Sequence, residues 1–515
     1  MVGSAPAGTI GNIYDLFRSR FPADLSRPFL ETEDGGVFTY GDLHTLAGRY
    51  ARLLTDLGLK KGDRVAVQVD KSPETVVLYL ATVRAGGVYL PLNAAYTPAE
   101  VDYFLSDATP RVFVCRPGTE SVLQPIADKA GVGTLLTLGT RGDGTLPQRA
   151  ADLDPDFPTV AVGDDDMAAI LYTSGTTGRS KGAMMSHRNL GSNALTLHQY
   201  WGFRPGDVLL HALPVFHTHG LFVATNCVLL NGGSMIFLPK FDADQVLSLL
   251  PRATVMMGVP TFYTRLLAHP GLTREAVAHM RLFISGSAPL LADTHKEFSA
   301  RTGHAILERY GMTETGMLTS NPLDGDRIPG TVGFPLPEVE LRVVDDQGTA
   351  LGTDAVGIIE VKGPNVFSGY WQMPEKTRQE IKPDGFFITG DVGKVDARGY
   401  VHIVGRAKDL IISGGYNVYP KEVETVIDAI DGVVESAVVG VPHPDFGEGV
   451  VAVVLRRPGA AAPDEAGVIA VCKQQLANYK MPKRVFFVDE LPRNTMGKVQ
   501  KNLLRDQHTG LFTGK

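Results

Sequence analysis

Apolar positions in the first third of the chain switch between two periods. Leu43, Leu46, Ala47, Tyr50, Leu53, Leu54 and Leu57 recur at helical spacing, and Gly58 follows as a C-terminal cap. Residues 64–69 then read as a strand. Residues 73–84 predict a second helix, closed by Gly86 and Gly87 before another short strand. The alternation returns further on, with strands at 234–238, 254–257 and 282–285 and helices over 243–250 and 261–267. Such a βα rhythm predicts mostly parallel sheet covered by helices. After about residue 325 the character changes. Short strands at 339–344, 357–361 and 400–404, with turn residues between them, predict a smaller β-rich region. From Gly405 a third pattern begins: a helix at 421–429, strands at 436–441 and 450–456, a loop at 458–464, another helix, and a strand at 484–488.

Composition narrows the class. The 515 residues, 44% hydrophobic and 20% charged, suit two to four globular units. A net charge of −7 argues against a chain that coats nucleic acid or an anionic membrane, so neither partner is expected. Cys115, Cys227 and Cys472 are far apart and odd in number, which predicts reduced thiols in a reducing compartment. Residues 1–12 lack a basic start followed by an apolar core, so a cytoplasmic protein is expected. Residues 208–239 contain no Asp, Glu, Lys or Arg. However, His211, Pro214, His217, His219, Asn226, Gly232 and Gly233 interrupt that run, which predicts a buried core segment rather than a membrane span.

A strand at 167–172 leads into Thr173, Ser174, Gly175, Thr176, Thr177, Gly178, Arg179, Ser180, Lys181 and Gly182. The glycines let successive backbone N–H groups turn toward phosphate oxygens, the hydroxyls add donors, and Lys181 adds charge. The spacing differs from a Walker-type loop. This string resembles the phosphate loop of the ANL superfamily: acyl-CoA synthetases, peptide-synthetase adenylation domains and luciferases. Four further strings resemble that family's elements, in family order: Tyr310-Gly311-Met312-Thr313-Glu314, Thr389-Gly390-Asp391, Gly405-Arg406-Ala407-Lys408-Asp409, and residues 492–498 ending in Lys498.

The resemblance implies an α/β adenylate-forming fold. A large N-terminal domain over 1–404 would comprise packed α/β subdomains and a β-rich subdomain. A small, mobile α+β C-terminal domain would cover 405–515. It also implies a two-step ligase using ATP, Mg²⁺ and coenzyme A. A carboxylate attacks the α-phosphorus, pyrophosphate leaves, and a thiol then displaces AMP. Anion meets anion in the first step, so the site must supply cations and oriented donors. By resemblance, Thr173–Gly178 and Lys181 hold the outer phosphates, and Glu314 ligates the metal. Thr313 donates to the α-phosphate. Asp391 and Arg406 hold the ribose. Ser285, Gly286, Ser287, Ala288 and Pro289 form an adenine wall, with Ser285 and Gly286 also lining the acyl substrate, Tyr310 stacking on the base, and Glu308, Arg309, Gly311 and Met312 beside it. Lys498 bridges the carboxylate and the α-phosphate. Lys408 and Asp409 are the hinge, and Gly414, Gly415 and Tyr416 a loop on the thiol side. Relatives are regulated by acetylation of the equivalent lysine, so a lysine acetyltransferase acting on Lys498 is a further expected partner.

For the acid, residues 213–220 resemble the acyl-pocket segment, which places His217 near the reacting carboxylate and Thr218 and His219 along the pocket. A hydrogen-bonded core histidine is the alternative, and it is the reading preferred for His211. Arg265 lies on a helix after a core strand, and Arg309 lies just before the Tyr310–Glu314 element. A pocket with a buried cation suits a dicarboxylate, whose second carboxylate pairs with the guanidinium. The strings 307–314, 217–220 and 258–265 resemble the malonyl-CoA-forming (MatB-type) branch, which often also takes methylmalonate. In that branch Thr218 and Met317 crowd the α-carbon. Arg265 is the favoured carboxylate partner, while Arg309 is left to pair with Glu308 or another acid. Three competitors stay open: a synthetase for acetate, propionate or succinate, a module loading a carrier-protein thiol, and a luciferase-like oxidase or nucleotide sensor.

Overall fold

A computed structural model describes residues 9–173, 180–413, 416–457, 464–476, 478–494 and 497–512. The chain packs as two compact units, Met1–Glu340 with Lys362–Phe387, and Leu341–Val361 with Ile388–Lys515.

The first unit holds two α/β layers. Six strands run in the order Thr134–Thr137, Val112–Cys115, Arg64–Gln68, Val88–Pro91, Met167–Thr173, Lys181–Ser186. All neighbours are parallel except the last pair. Two helices of this unit start where the chain supplies a side-chain cap. Tyr40–Asp56 opens on a Thr39–Asp42 capping box and buries Leu43, Ala47, Tyr50, Leu53 and Leu54, the helical-period positions of the sequence. Pro73–Arg84 opens on Ser72 with Pro73 in its first turn and is buried on nearly every face. That explains its weak amphipathic pattern.

The second layer orders nine strands as Phe334–Pro335, Gly316–Ser320, Leu307–Met312, Leu282–Ser285, Val255–Gly258, Val208–His211, Ser234–Phe237, Pro28–Thr32, Val37–Thr39. The six from Leu307–Met312 to Pro28–Thr32 are parallel. The charge-free stretch supplies two of these strands. Between them it forms a π-helix, His219–Thr225, and a helix, Asn226–Asn231, both buried. Among the described residues, no helix is long and apolar enough to cross a membrane.

The second unit contains the β-rich region, with strand order Glu340–Val344, Gly357–Lys362, Phe387–Val395, Val401–Arg406. Its other sheet centres on Gly447–Arg456, which lies antiparallel to Val433–His443 and parallel to Arg484–Val488. Val450, Ala452 and Val454 of the central strand enter one core, with Val423, Ile427 and Val468. Val451 and Val453 enter another, with Leu491 and Leu504. Both faces are covered, which is why the strand reads as an unbroken apolar run. Residues 341–361 and 388–404 thus pack with 405–515, whereas the motifs alone divide the chain at 404.

Candidate active site

Sites in open α/β sheets form at the carboxyl ends of the strands, because the connecting loops converge there. In the nine-stranded sheet, His211, Gly258 and Ser285 end parallel strands, and Ser285 pairs with Glu308 of the next strand. Side chains alternate along Leu307–Met312. Glu308 Oε1 accepts from Leu290 N at 3.1 Å. Arg309 takes the opposite face and is 3% exposed, with Nε and Nη2 lacking a hydrogen-bond partner. Burial pushes its pKa down to about 9. Gly286 makes room for it, since a Cβ there would lie 2.4 Å from Arg309 Cζ.

Two histidines stand by this guanidinium. Burial first, and the Arg309 charge second, draw His217 down to about 4 and His219 well below its ordinary value. Both imidazoles are therefore neutral near pH 7, and of the three groups only Arg309 is a cation. His217 Nδ1 accepts from His219 N at 3.2 Å, and His219 Nδ1 lies 3.1 Å from Ser287 Oγ. Ser287 has φ 72°, a strained turn for a non-glycine residue. Thr218 Oγ1, His219 Nε2 and Ser285 Oγ are further buried atoms without a partner. Met317 is 2% exposed, Ala288 half-buried and Pro289 exposed. His211 is a core residue, as preferred from the sequence. Its Nε2 donates to Gly220 O of the π-helix at 2.8 Å, and its Nδ1 faces Lys71 Nζ at 2.9 Å.

The structure buries Arg309 and leaves Arg265 exposed, the reverse of what the preference for Arg265 requires. Helix Pro260–Ala268 turns Tyr263, Leu266 and Leu267 inward, which leaves Arg265 exposed on the outer side. Nor does Arg309 pair with Glu308, because neighbours on a strand face opposite ways.

On the phosphate side, Thr173 pairs with Lys181 across the hairpin Met167–Thr173/Lys181–Ser186. Ser174, Gly175, Thr176, Thr177 and Gly178 lie outside the described residues. Lys181 Nζ is 3.2 Å from Glu380 Oε1 and 4.1 Å from the Tyr370 ring centroid. The Tyr370 hydroxyl lies 2.6 Å from Glu380 Oε2 and 3.1 Å from Glu314 Oε1. Glu314 is buried in the turn after Leu307–Met312, beside half-buried Thr313 and below Tyr310, Gly311 and Met312, which are also half-buried. A single buried carboxylate fits Mg²⁺, an ion that takes most of its ligands from phosphate and water. The described residues hold no cluster of three His, Cys, Asp or Glu that would make an all-protein cage. Sequence reading missed Tyr370 and Glu380. No local signal marked them; Pro374 starts the short helix Pro374–Glu380 that carries Glu380 back to Tyr370.

In the second unit Asp391 and Arg406 are register partners on adjacent strands, with Arg406 Nε 2.6 Å from Asp391 Oδ1. Lys498 closes a tight loop, its N donating to Asn494 Oδ1 at 3.0 Å. The residue as a whole keeps a large exposed surface. Its ammonium nevertheless lies in the field of Arg406, Asp391, Lys408 and Asp409, and burial first, then Arg406, draw its pKa to about 8. Lys408 and Asp409 form the turn Ala407–Asp409, where Arg505 Nη2 lies 3.3 Å from Asp409 Oδ1. Tyr416 is exposed and stacks on Tyr479 at 4.7 Å between centroids, while Gly414 and Gly415 lie outside the described residues.

This is the adenylate-forming architecture: a large α/β region with phosphate and acyl sides, and a small α+β region carrying the lysine. Comparison with known proteins agrees. The sequence model described as AMP-binding enzyme matches residues 20–371, and the one described as AMP-binding enzyme C-terminal domain matches 422–498. The chain belongs to the AMP-binding enzyme family and is an acid–CoA ligase of that family. It is similar to a sulfoacetate–CoA ligase of Cupriavidus necator (36% identical, covering 92% of this chain and 94% of that one). It is likewise similar to a malonate–CoA ligase of Arabidopsis thaliana (35% identical, covering 96% and 89%). Among solved structures, ATP-bound MatB from Rhodopseudomonas palustris superimposes with a TM-score of 0.95 at 62% identity, covering 97% and 99% of the two chains.

Proposed function

We propose that the enzyme ligates malonate, and methylmalonate beside it, to coenzyme A through an acyl-adenylate, with release of AMP and pyrophosphate. The observation that carries this reading is Arg309, a buried guanidinium with two unpaired nitrogens whose charge acts on neutral His217 and His219. An isolated buried cation is destabilising, and a substrate carboxylate in fork geometry offsets that. A fatty acid would leave it unpaired.

In this reading Arg309 grips the distal carboxylate, and His217 and Thr218 line the path to the reacting one. Lys181 and the loop from Thr173 hold the β- and γ-phosphates. Glu314 would hold Mg²⁺, which supplies charge neutralisation between phosphates. Thr313 donates to the α-phosphate, Tyr310 and the 287–289 turn flank the adenine, and Asp391 and Arg406 exchange their mutual bond for the ribose hydroxyls. Lys498 stabilises charge as it passes from carboxylate to phosphate. Lys408–Asp409 is the functional boundary between 1–404 and 405–515 and the hinge of the second half-reaction, which brings in the loop at Tyr416. The three buried thiols fit a reducing, cytoplasmic setting, and Lys498 is the candidate target of an acetyltransferase.

The test is AMP and pyrophosphate formation dependent on both malonate and CoA, across a panel of acids. Malonate turning over no faster than acetate at equal concentration would sink the reading. A second reading is favoured by one relative: Arg309 would also suit a sulfonate, as in the sulfoacetate–CoA ligase. Sulfoacetate therefore belongs in the panel.

A further inference from the structure

Glu380 joins groups that the sequence motifs treat separately. Its Oε1 is 3.2 Å from Lys181 Nζ and 2.9 Å from Lys376 Nζ, and its Oε2 lies 2.6 Å from the Tyr370 hydroxyl. The side chains of Glu380 and Lys181 are 19% and 15% exposed, so water screens this pair only in part. Burial pushes the Glu380 carboxyl up. The bonds from Tyr370 and Lys376 and the charge of Lys181 together outweigh that and hold it below its usual value. The carboxylate is therefore ionised at neutral pH.

Glu380 offers Lys181 what a phosphate oxygen would offer: an anionic acceptor at hydrogen-bond distance. Tyr370 reinforces this. Its hydroxyl has one proton and two carboxylate neighbours, and the 2.6 Å contact to Glu380 is the shorter of the two. Glu380 is thus held by donors on three residues. A triphosphate arriving at Lys181 does not meet a bare cation; it must exchange with a carboxylate already in place. The net gain is the difference between two ion pairs, and the two anions repel each other during the exchange.

We propose that Glu380 is the resident counter-ion of Lys181, occupying the lysine when phosphates are absent and recapturing it as pyrophosphate leaves. It lowers the affinity for the outer phosphates and thereby speeds product release. The proposal rests on reading Lys181 as a phosphate ligand. A merely supporting role for Glu380 makes the opposite forecast, since losing the support would misplace Lys181 and weaken phosphate binding.

The experiment titrates magnesium pyrophosphate, and separately ATP, into the full-length protein by calorimetry, for wild type and Glu380→Gln. Thermal melting checks the fold of each. Glutamine keeps the shape but removes the charge; its one carbonyl oxygen can still accept from Lys376, and its amide nitrogen can donate to the Tyr370 hydroxyl, whose own proton then goes to Glu314. The expected result is pyrophosphate binding roughly three- to tenfold tighter in Glu380→Gln, the scale of a partly screened ion pair, with matching stronger product inhibition of adenylate formation. Unchanged or weaker pyrophosphate binding overturns the proposal. If Gln prevents folding, Glu380→Asp, which keeps the charge but draws it back from Lys181, should tighten binding in the same direction and by less. No tightening there overturns it too. Wild type binding neither pyrophosphate nor ATP would defeat the adenylation reading itself, and this inference with it.

Discussion

Arg309 occupies the space that a side chain on Gly286 would need, for a Cβ on Gly286 would fall 2.4 Å from Arg309 Cζ. The glycine thus matters through what it lacks. It lets a guanidinium lie against the backbone at the carboxyl end of strand Leu282–Ser285.

Replacing Arg309 with Leu should lower kcat/KM for malonate roughly ten- to hundredfold, the scale of a charge-assisted hydrogen bond, and leave acetate nearly unaffected. Melting temperature should hold or rise, because an unpaired buried cation is exchanged for an apolar side chain. Gly286→Ala should impair malonate use in the same direction by displacing the guanidinium. Steady-state kinetics on both acids and a thermal melt decide the matter. Equal losses on malonate and acetate would contradict the assignment.

Arg265→Ala provides the contrast. An exposed side chain on the outer face of its helix contributes within about 0.5 kcal/mol to stability. Malonate kinetics should change less than about twofold. A large rise in malonate KM would restore Arg265 as the carboxylate partner.

Lys498→Ala should cut adenylate formation by roughly a hundredfold or more, as expected when a positioned cation is removed from a reaction that moves charge between anions. Thioester formation from preformed malonyl-adenylate should be far less affected. Pyrophosphate exchange and single-turnover thiolysis measure the two steps separately, and equal losses in both would remove Lys498 from its assigned role.

Asp428 gives a pH-dependent signature in the second unit. Burial raises its carboxyl to about 6, against the opposing charge of Lys421 and the Ser436 bond. A raised folded-state value means folding favours the protonated form. That stabilisation is complete below about pH 4 and is lost as pH rises through 6. Asp428→Asn should therefore stabilise the protein against denaturant by roughly 1–2 kcal/mol at pH 8 and change little at pH 4.5. Denaturation curves at the two pH values check this; an equal effect at both would contradict it.

Much of this molecule is legible in one dimension. Strand Arg484–Val488 and helix Pro73–Arg84 fall where the pattern predicts them, because caps, prolines and apolar periods act within a few residues. The apolar run 208–239 was readable as core because polar interruptions come too often for a membrane span. Less legible was the packing of the β-rich stretch with the C-terminal chain, since no local signal records which neighbours share a core. Tyr370 and Glu380 were invisible for a similar reason: their meeting with Lys181 joins segments some 190 residues apart, 199 for the Lys181–Glu380 pair.

Residue order alone determined the family, the motif sequence and the list of cations that could serve an anionic substrate. Tertiary structure decided which of the two arginines is buried. Arg265 lies on a helix after a core strand and Arg309 lies within one, and helical or strand period tells which residues share a face, but not which face is covered. Packing turned Tyr263 and Leu266 inward and Arg265 out. It also buried Arg309 on a strand of the nine-stranded sheet, where desolvation makes a single charge count.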